Sequence, residues 1–105
     1  MCAAAGLFLA GAAAPGGRLE AGGAAHIINM QIAGFDPQVL TVKTGDRITW
    51  VNKDFFPHTA TADGKAFDSG SIAPSGTWDF VAKKAGTYTY ICSIHPTMKG
   101  TIKVE

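Results

Sequence analysis

The stretch YICSIHPTMKG, residues 90–100, places three soft donor side chains at intervals of three residues. Cys92 supplies a thiol, His95 an imidazole and Met98 a thioether. Each of these residue types alone is more often a small core residue, a solvated loop residue or a packing residue than a ligand. Together, in one tight loop, they form a donor set that suits a soft transition metal.

The thioether distinguishes between metals. Zinc sites normally take four strong nitrogen, sulfur or oxygen donors, whereas copper also accepts a weak thioether. A trigonal copper site needs a second imidazole, and the candidates are His26 and His58. His58 follows Pro57 and precedes an alternating segment, so we expect it at a strand end. His26 opens the first predicted strand and is expected to be exposed, and we therefore choose His58.

Two other interpretations of Cys92 compete with a metal site. One is a disulfide with Cys2, but Cys2 lies in an Ala/Gly-rich segment where few contacts would hold it near Cys92, so a free thiol is predicted. The other is an enzyme in which Cys92 is the nucleophile and His95 the base. No third orienting residue is evident, and Met98 would have no role. The pattern therefore favours a metal-binding protein over an enzyme.

The composition indicates one globular domain and argues against a nucleic-acid binder. The chain has 105 residues, of which 47% are apolar, so it can bury the core of one globular domain. The formal net charge is +1, and the nine basic residues are scattered along the chain. This pattern lacks the basic patch that is typical of nucleic-acid binders, so no nucleic-acid partner is predicted.

Residues 1–25 are rich in alanine and glycine and differ from the remainder of the chain. Their apolar run has the length of a signal peptide, is too short to span a bilayer, and is followed by small residues suited to cleavage near Ala12 or Ala14. We expect export to the periplasm or the outer face of the membrane. A short N-terminal anchor and a flexible tail are the alternatives. The predicted domain is 26–105.

The predicted domain shows short alternating or β-branched runs separated by turn residues, which indicates an all-β sandwich or barrel. Ile28, Met30 and Ile32 are predicted to share one face of the first strand, and Ile48 and Trp50 one face of a later strand. No window has the apolar spacing of a helix of any length. The fold class is therefore predicted to be all-β.

Further strands are predicted around the donor loop. The segment QVLTVKTGDRITWVN contains two strands joined at Thr44–Asp46, and GTWDFVAKKAGTYTYICS supplies two more. A closing strand is predicted in KGTIKVE. This arrangement puts Cys92 at the end of one strand, Met98 at or just before the next, and His95 in the loop between them, so the three donors share one end of the sandwich.

Residues 28–105 resemble a known family. The segments GFDP, GDRITWVN, PHT and GTYTYICSIHPTMKGTIKVE are similar to those of the cupredoxins, small blue-copper electron carriers of the plastocyanin, pseudoazurin and amicyanin group. The short C-x-x-H-x-x-M loop is most similar to that of amicyanin. The resemblance implies a Greek-key β-sandwich of about seven to eight strands with one copper ion. It implies His58, Cys92 and His95 as equatorial ligands and Met98 as the weak axial ligand.

The resemblance also implies a function. The protein would be a monomer that carries electrons between redox proteins, such as a c-type cytochrome, a copper enzyme or a dehydrogenase, which dock near His95. A copper-binding module for storage, delivery or sensing is the alternative, because a fold alone does not fix a function. Four residues are predicted to form an apolar rim around the docking position, and Phe35 is expected to pack in the core instead. The four are Phe55, Phe56, Pro74 and Pro96.

One position departs from the family pattern. Many members have asparagine directly after the first histidine ligand, where its backbone N–H bonds the copper thiolate and its side chain ties the ligand loop. This chain has Thr59 there. The backbone N–H is retained, so we expect the sulfur contact to remain. The side-chain tie is expected to be weaker or to be made by the hydroxyl.

Overall fold

The computed structural model describes residues 23–32 and 34–105. The predictions for Cys2 and for the signal-like run lie outside the described residues. Among the described residues, no helix is long and apolar enough to cross a bilayer. The strands are β1 (Ala25–Gln31), β2 (Gly34–Asp36), β3 (Val39–Val42), β4 (Arg47–Asn52), β5 (Thr61–Ala62), β6 (Thr77–Val81), β7 (Gly86–Ile91) and β8 (Lys99–Val104).

The strands form two four-stranded sheets of mixed orientation. The first sheet has the order β2-β1-β4-β6, and the second has the order β3-β8-β7-β5. The pairs β1–β4 and β3–β8 are parallel, and the other neighbours are antiparallel. The only helical segment in the described part of the chain is a 3-10 turn at Asp63–Lys65. The prediction of an all-β sandwich with seven to eight strands is confirmed.

Period-two alternation explains which strand residues face the core. Ile28 and Met30 on β1 and Ile48 and Trp50 on β4 are all fully buried, as predicted. The prediction for Ile32 is wrong, because β1 ends at Gln31 and the Ile32 side chain is 75% exposed. An alternating pattern cannot show where a strand stops when the next residue is also β-branched.

An aromatic cluster fills the space between the two sheets. The Trp50 ring lies 5.4 Å from that of Phe67 and 5.6 Å from that of Tyr90, measured between centroids. Tyr90 on β7 faces Gly100 on β8, where an added Cβ would overlap the tyrosine ring. Glycine is therefore required at this position, because the Tyr90 ring packs directly against the Gly100 backbone. On β7 this contact lies two residues before Cys92.

The predicted turn at Thr44–Asp46 is present, but it connects different sheets. It leads from β3 in the second sheet to β4 in the first, with Gly45 in a left-handed conformation (φ 94°). The Gly45 N–H donates to the carbonyl of Ala82 at 2.6 Å. This corner holds the two sheets together at the start of β4.

Candidate metal centre

The loop between β7 and β8 is closed by its own backbone. The Cys92 N–H donates to the carbonyl of Met98 at 3.1 Å, which brings the two ends of the loop together. Inside it, the His95 N–H donates to the Cys92 carbonyl at 3.1 Å, and the Met98 N–H donates to the His95 carbonyl at 2.9 Å. Two successive turns therefore space the donors. Cys92 and Met98 are buried, and His95 is exposed.

A second loop, residues 53–57, positions His58. Its centre is the buried side chain of Asn52, whose Nδ2 donates to the carbonyls of Phe56 (2.8 Å) and Ile72 (2.9 Å) and whose Oδ1 accepts the Asp54 N–H (2.9 Å). The backbone of His58 also pairs with Ile72 in both directions, at 3.1 and 2.7 Å. Each of these bonds restricts the loop, so His58 is held from both sides.

The two loops bring three donor atoms together. Ligand atoms of His58, Cys92 and His95 all lie within 4.8 Å of one another. The Cys92 Sγ is 3.6 Å from Nδ1 of His58 and 4.0 Å from Nδ1 of His95. A metal bound at about 2.3 Å to sulfur and about 2.0 Å to nitrogen, in a trigonal plane, separates such atoms by about 3.7 Å. The donors therefore fit a trigonal site for a soft metal ion.

The surroundings of the Cys92 sulfur favour its thiolate form. Cys92 is fully buried, and burial raises the pKa of a thiol. The Thr59 N–H, which donates to Sγ at 3.3 Å, and the imidazole of His58 outweigh that effect and lower the pKa of Cys92 to about 6. Because metals bind the thiolate form, the site is suited to metal uptake at neutral pH.

A buried carboxylate orients His58. Its Nε2 lies 2.7 Å from Oδ2 of Asp54, and both side chains are almost completely buried. The hydrogen bond from His58 lowers the pKa of Asp54. Burial alone would lower the pKa of His58, but its hydrogen bonds with Asp54 and Cys92 raise it. With Nε2 occupied by the carboxylate, Nδ1 is the nitrogen that faces the sulfur and is available to a metal.

Sequence reasoning missed Asp54. An aspartate between a lysine and two phenylalanines resembles a solvated turn residue, and its burial depends on the fold of the loop around Asn52. The available signal is its position four residues before His58 and two residues after a strand whose alternate residues are buried. Pro57, which directly precedes His58, is exposed.

The Thr59 hydroxyl replaces the asparagine side chain of the family pattern. Its Oγ1 accepts the Ser93 N–H at 2.7 Å and lies 3.0 Å from the Ser93 hydroxyl. Thr59 therefore joins the segment after His58 to the segment after Cys92. The sequence left two expectations for this side-chain tie, a weaker tie or one made by the hydroxyl. The structure shows the tie made by the hydroxyl.

The other candidate imidazole lies elsewhere. His26 is half-buried, and its Nε2 lies 2.9 Å from Oδ2 of Asp46 at the start of β4. The prediction that it is simply exposed is wrong, because sequence alone did not show that Asp46 turns inward at the corner. The structure brings His58, and not His26, next to Cys92. The axial role of Met98, which is 3% exposed, stays a prediction.

The predicted rim is exposed. The side chains of Phe55 and Phe56 are 88% and 60% exposed, and Pro74 and Pro96 are exposed as well. Phe35 is buried as expected, with its ring 4.5 Å from that of Tyr90. Exposed phenylalanines in a loop that leads directly to His58 give this end of the sandwich an apolar surface.

Comparison with known proteins shows which family the chain belongs to. The family model of the cupredoxin-like domain matches residues 1–104. Plastocyanin from Scenedesmus fuscus is 36% identical over 84 residues, which cover 68% of this chain and 86% of the relative. Amicyanin from Paracoccus denitrificans is 31% identical over 91 residues, which cover 82% of this chain and 70% of the relative. The chain belongs to the cupredoxin-like family.

A solved structure supports the same assignment. The reduced Cu(I) form of an amicyanin variant at pH 4 aligns with a TM-score of 0.71 and 27% identity, covering 77% of this chain and 82% of that one. The chain thus shares its fold with a protein whose structure was solved in a Cu(I) form.

Proposed function

We propose that this chain is a small blue copper electron-transfer protein that binds one copper ion and cycles it between Cu(II) and Cu(I). The observation that carries the proposal is the convergence of His58 Nδ1, Cys92 Sγ and the His95 imidazole within 4.8 Å of one another, at a sulfur favoured as thiolate. His58, Cys92 and His95 are the proposed equatorial ligands, with Met98 as the weak axial one.

The surrounding residues suit electron transfer. Bound copper supplies a one-electron couple that thiolate and thioether donors bias toward Cu(I). Asn52 and Asp54 hold His58 in one orientation, and the Thr59 N–H holds the sulfur, so the ligands need to move little when the charge changes. Small movement keeps the cost of each electron transfer low.

His95 is the proposed point of electron entry and exit. It is the exposed member of the three converging residues, whereas His58 and Cys92 are buried. Phe55 and Phe56 supply exposed apolar surface for brief docking, in line with small, transient redox interfaces. The proposed partners are redox proteins, namely a c-type cytochrome, a copper enzyme or a dehydrogenase. We further propose a monomer that works after export, with no nucleic-acid partner.

The electron-carrier proposal is preferred to a cysteine enzyme. Nucleophilic cysteines need access to a substrate, and the Cys92 side chain has no exposed surface. The second nitrogen of His58 is engaged by Asp54, and His95 lies 4.0 Å from the sulfur, which is a loose contact for proton transfer. We therefore assign no catalytic residue.

Repeated reduction and oxidation in the presence of a Cu(I) chelator tests electron transfer against copper storage or delivery. A carrier is expected to lose its visible colour on reduction by ascorbate and to regain it on oxidation by ferricyanide over many cycles, with the copper retained. Transfer of the copper to the chelator in the first reduced interval would contradict the carrier function and support delivery. The variant His26→Asn serves as a matched control, because His26 lies outside the centre.

A further inference from the structure

Four side chains form a continuous series of hydrogen bonds from the ligand loop to the surface. Thr59 Oγ1 lies 3.0 Å from both Ser93 Oγ and Thr61 Oγ1. Thr61 Oγ1 in turn donates to Oδ1 of Asp68 at 3.1 Å. Thr59 and Ser93 each directly follow a proposed ligand in the sequence. The series, which we call the hydroxyl chain, thus connects both ligand segments to one exposed carboxylate.

The hydroxyl protons in this chain can point in only one direction. An ionised carboxylate only accepts hydrogen bonds, so Thr61 gives its proton to Asp68. The Thr61 oxygen then accepts a hydrogen bond from the Thr59 hydroxyl, which donates its proton to Thr61. Thr59 has no proton left for Ser93. Its oxygen therefore accepts both the hydroxyl and the backbone N–H of Ser93, which uses both lone pairs.

We infer that Asp68 is a distant positioning residue of the metal centre. Its carboxylate orients the hydroxyls of Thr61 and Thr59, and the oriented Thr59 oxygen holds the backbone of Ser93 beside Cys92. The effect of Asp68 on a bound metal rests on the proposed function. Its effect on the ligand loop does not, because the hydroxyl chain is formed by protein atoms alone.

The fold keeps Asp68 at the end of the hydroxyl chain. Thr61 and Asp68 are paired as an isolated antiparallel bridge. Beside them, the Ser69 N–H donates to the Ala60 carbonyl at 3.0 Å, and the Ser69 hydroxyl accepts the Ala60 N–H at 2.8 Å. A charged acceptor makes stronger hydrogen bonds than a neutral one, and linked hydroxyls polarise each other. The influence of the carboxylate therefore extends along the chain.

The direction of the protons has an electrostatic consequence. Each O–H bond points away from the ligand loop and toward Asp68, so the oxygen ends of the dipoles face the metal centre. Negative charge near a copper site favours Cu(II) and lowers the reduction potential. The hydroxyl chain is therefore expected to keep the potential lower than it would be with the chain interrupted.

Amide hydrogen exchange of Ser93 in the copper-free protein is the direct test. Thr61→Val keeps the shape of the side chain but interrupts the chain, and Thr61→Ser restores the hydroxyl. Asp68→Asn removes the charge. Asp63→Asn is the matched control, because Asp63 is an exposed aspartate that also accepts a threonine hydroxyl, that of Thr89, without leading to the ligand loop.

We expect Thr61→Val to speed Ser93 exchange about fivefold, which corresponds to part of one hydrogen bond, and Asp68→Asn to speed it by a smaller factor. Thr61→Ser and Asp63→Asn should exchange at the wild-type rate. Unchanged exchange in Thr61→Val, or equal rates in Asp68→Asn and Asp63→Asn, would overturn the role of Asp68.

The reduction potential of the copper-loaded variants gives a second readout. Asp68→Asn should raise it more than Asp63→Asn does, because only Asp68 polarises the hydroxyl chain. Equal shifts would mean that simple charge removal explains the effect and that the chain plays no part. A wild-type protein that forms no copper centre would overturn the proposed function, and the exchange rates would still decide the inference.

Discussion

Two histidines lie against buried aspartates at the two ends of strand β4, and they are used differently. Asp46 directly precedes β4 and pairs with His26 at 2.9 Å, whereas Asp54 follows β4 by two residues and pairs with His58 at 2.7 Å. In both pairs Nε2 is the ring atom that meets the carboxylate. The ring of His58 also has Cys92 on its other side, with Sγ 3.6 Å from Nδ1, and this neighbour makes His58 a proposed ligand, whereas His26 has no such role.

The further contacts of each aspartate show the difference. Asp46 also accepts the backbone N–H groups of Ala24 (2.8 Å) and Lys43 (2.9 Å), so it fastens the first strand to the corner between the sheets. These bonds, that from Lys43 first and that from His26 next, lower its pKa. Within the described residues, the Asp54 carboxylate accepts one hydrogen bond besides that of His58, from the Phe55 N–H of its own loop at 2.7 Å. Asp46 therefore stabilises the fold, and Asp54 sets the direction of an imidazole.

The largest expected difference follows from replacing each histidine. His58→Asn should weaken Cu(II) binding by more than about 100-fold and abolish the intense visible band, since loss of an outer partner alone costs about 10- to 100-fold. His26→Asn should leave both unchanged and lower the free energy of unfolding by about 1 kcal/mol. Copper titration and thermal unfolding measure the two effects. A similar loss of copper from both variants would mean that the two pairs do not differ in function.

Replacing each aspartate sharpens the comparison. Asp54→Asn should lower copper affinity about 10- to 100-fold and raise the reduction potential, because His58 becomes a weaker donor without its carboxylate partner. Asp46→Asn should reduce the free energy of unfolding by about 1–3 kcal/mol and leave the potential as it is. Voltammetry and urea unfolding of both variants decide this. A shifted potential in Asp46→Asn would break the separation of roles.

The ionisation of Cys92 should respond to only one of the two aspartates. In the copper-free protein, thiolate absorbance is expected to rise with a midpoint near pH 6, against 9.0 for the ordinary thiol. Asp54→Asn lowers the tendency of His58 to be protonated beside the sulfur, so the midpoint should move upward. Asp46→Asn should leave it in place. Ultraviolet titration of the three proteins measures these midpoints, and an unmoved midpoint in Asp54→Asn would contradict the coupling.

The smallest effect on the copper site is expected from replacing the Met98 thioether. It is a proposed ligand together with His58 and Cys92 at one end of β4. The other end, with His26 and Asp46, has no proposed ligand. Met98 lies in the loop beside Cys92, and there Met98→Gln should leave a coloured copper site with a lower potential, because an oxygen donor favours Cu(II) more than a thioether does. Voltammetry checks the direction. An unchanged or raised potential would show that Met98 is not the axial ligand.

The donor loop with Cys92 was easier to predict from the sequence than the two aspartates at the ends of β4. Its three donors lie within seven residues, so short-range turns alone bring them together, and alternation placed Ile48 and Trp50 correctly in the core. The choice of His58 rested on its position after Pro57 at an expected strand end, and on the expectation that His26 is exposed. These features depend on neighbouring residues, which a sequence displays directly.

Both aspartates escaped prediction because their burial depends on how the chain folds around them. Asp46 turns inward only because β3 and β4 belong to different sheets, and Asp54 is buried only because Asn52 folds the loop around itself. Neither condition is visible in the local pattern, where aspartate is typical of a solvated turn. The hydroxyl tie at Thr59 was left open for the same reason, since its partner Ser93 lies 34 residues away.

Visible absorption during addition of Cu(II) to the copper-free protein tests the central claim most directly. We expect an intense band at red wavelengths that saturates at one copper ion per chain, because the Cys92 thiolate lies beside two imidazoles in a buried site. Cys92→Ser should bind copper weakly and show no intense band. A wild-type spectrum with only the faint absorption of oxygen- and nitrogen-bound Cu(II), or an intense band retained in Cys92→Ser, would contradict the assignment.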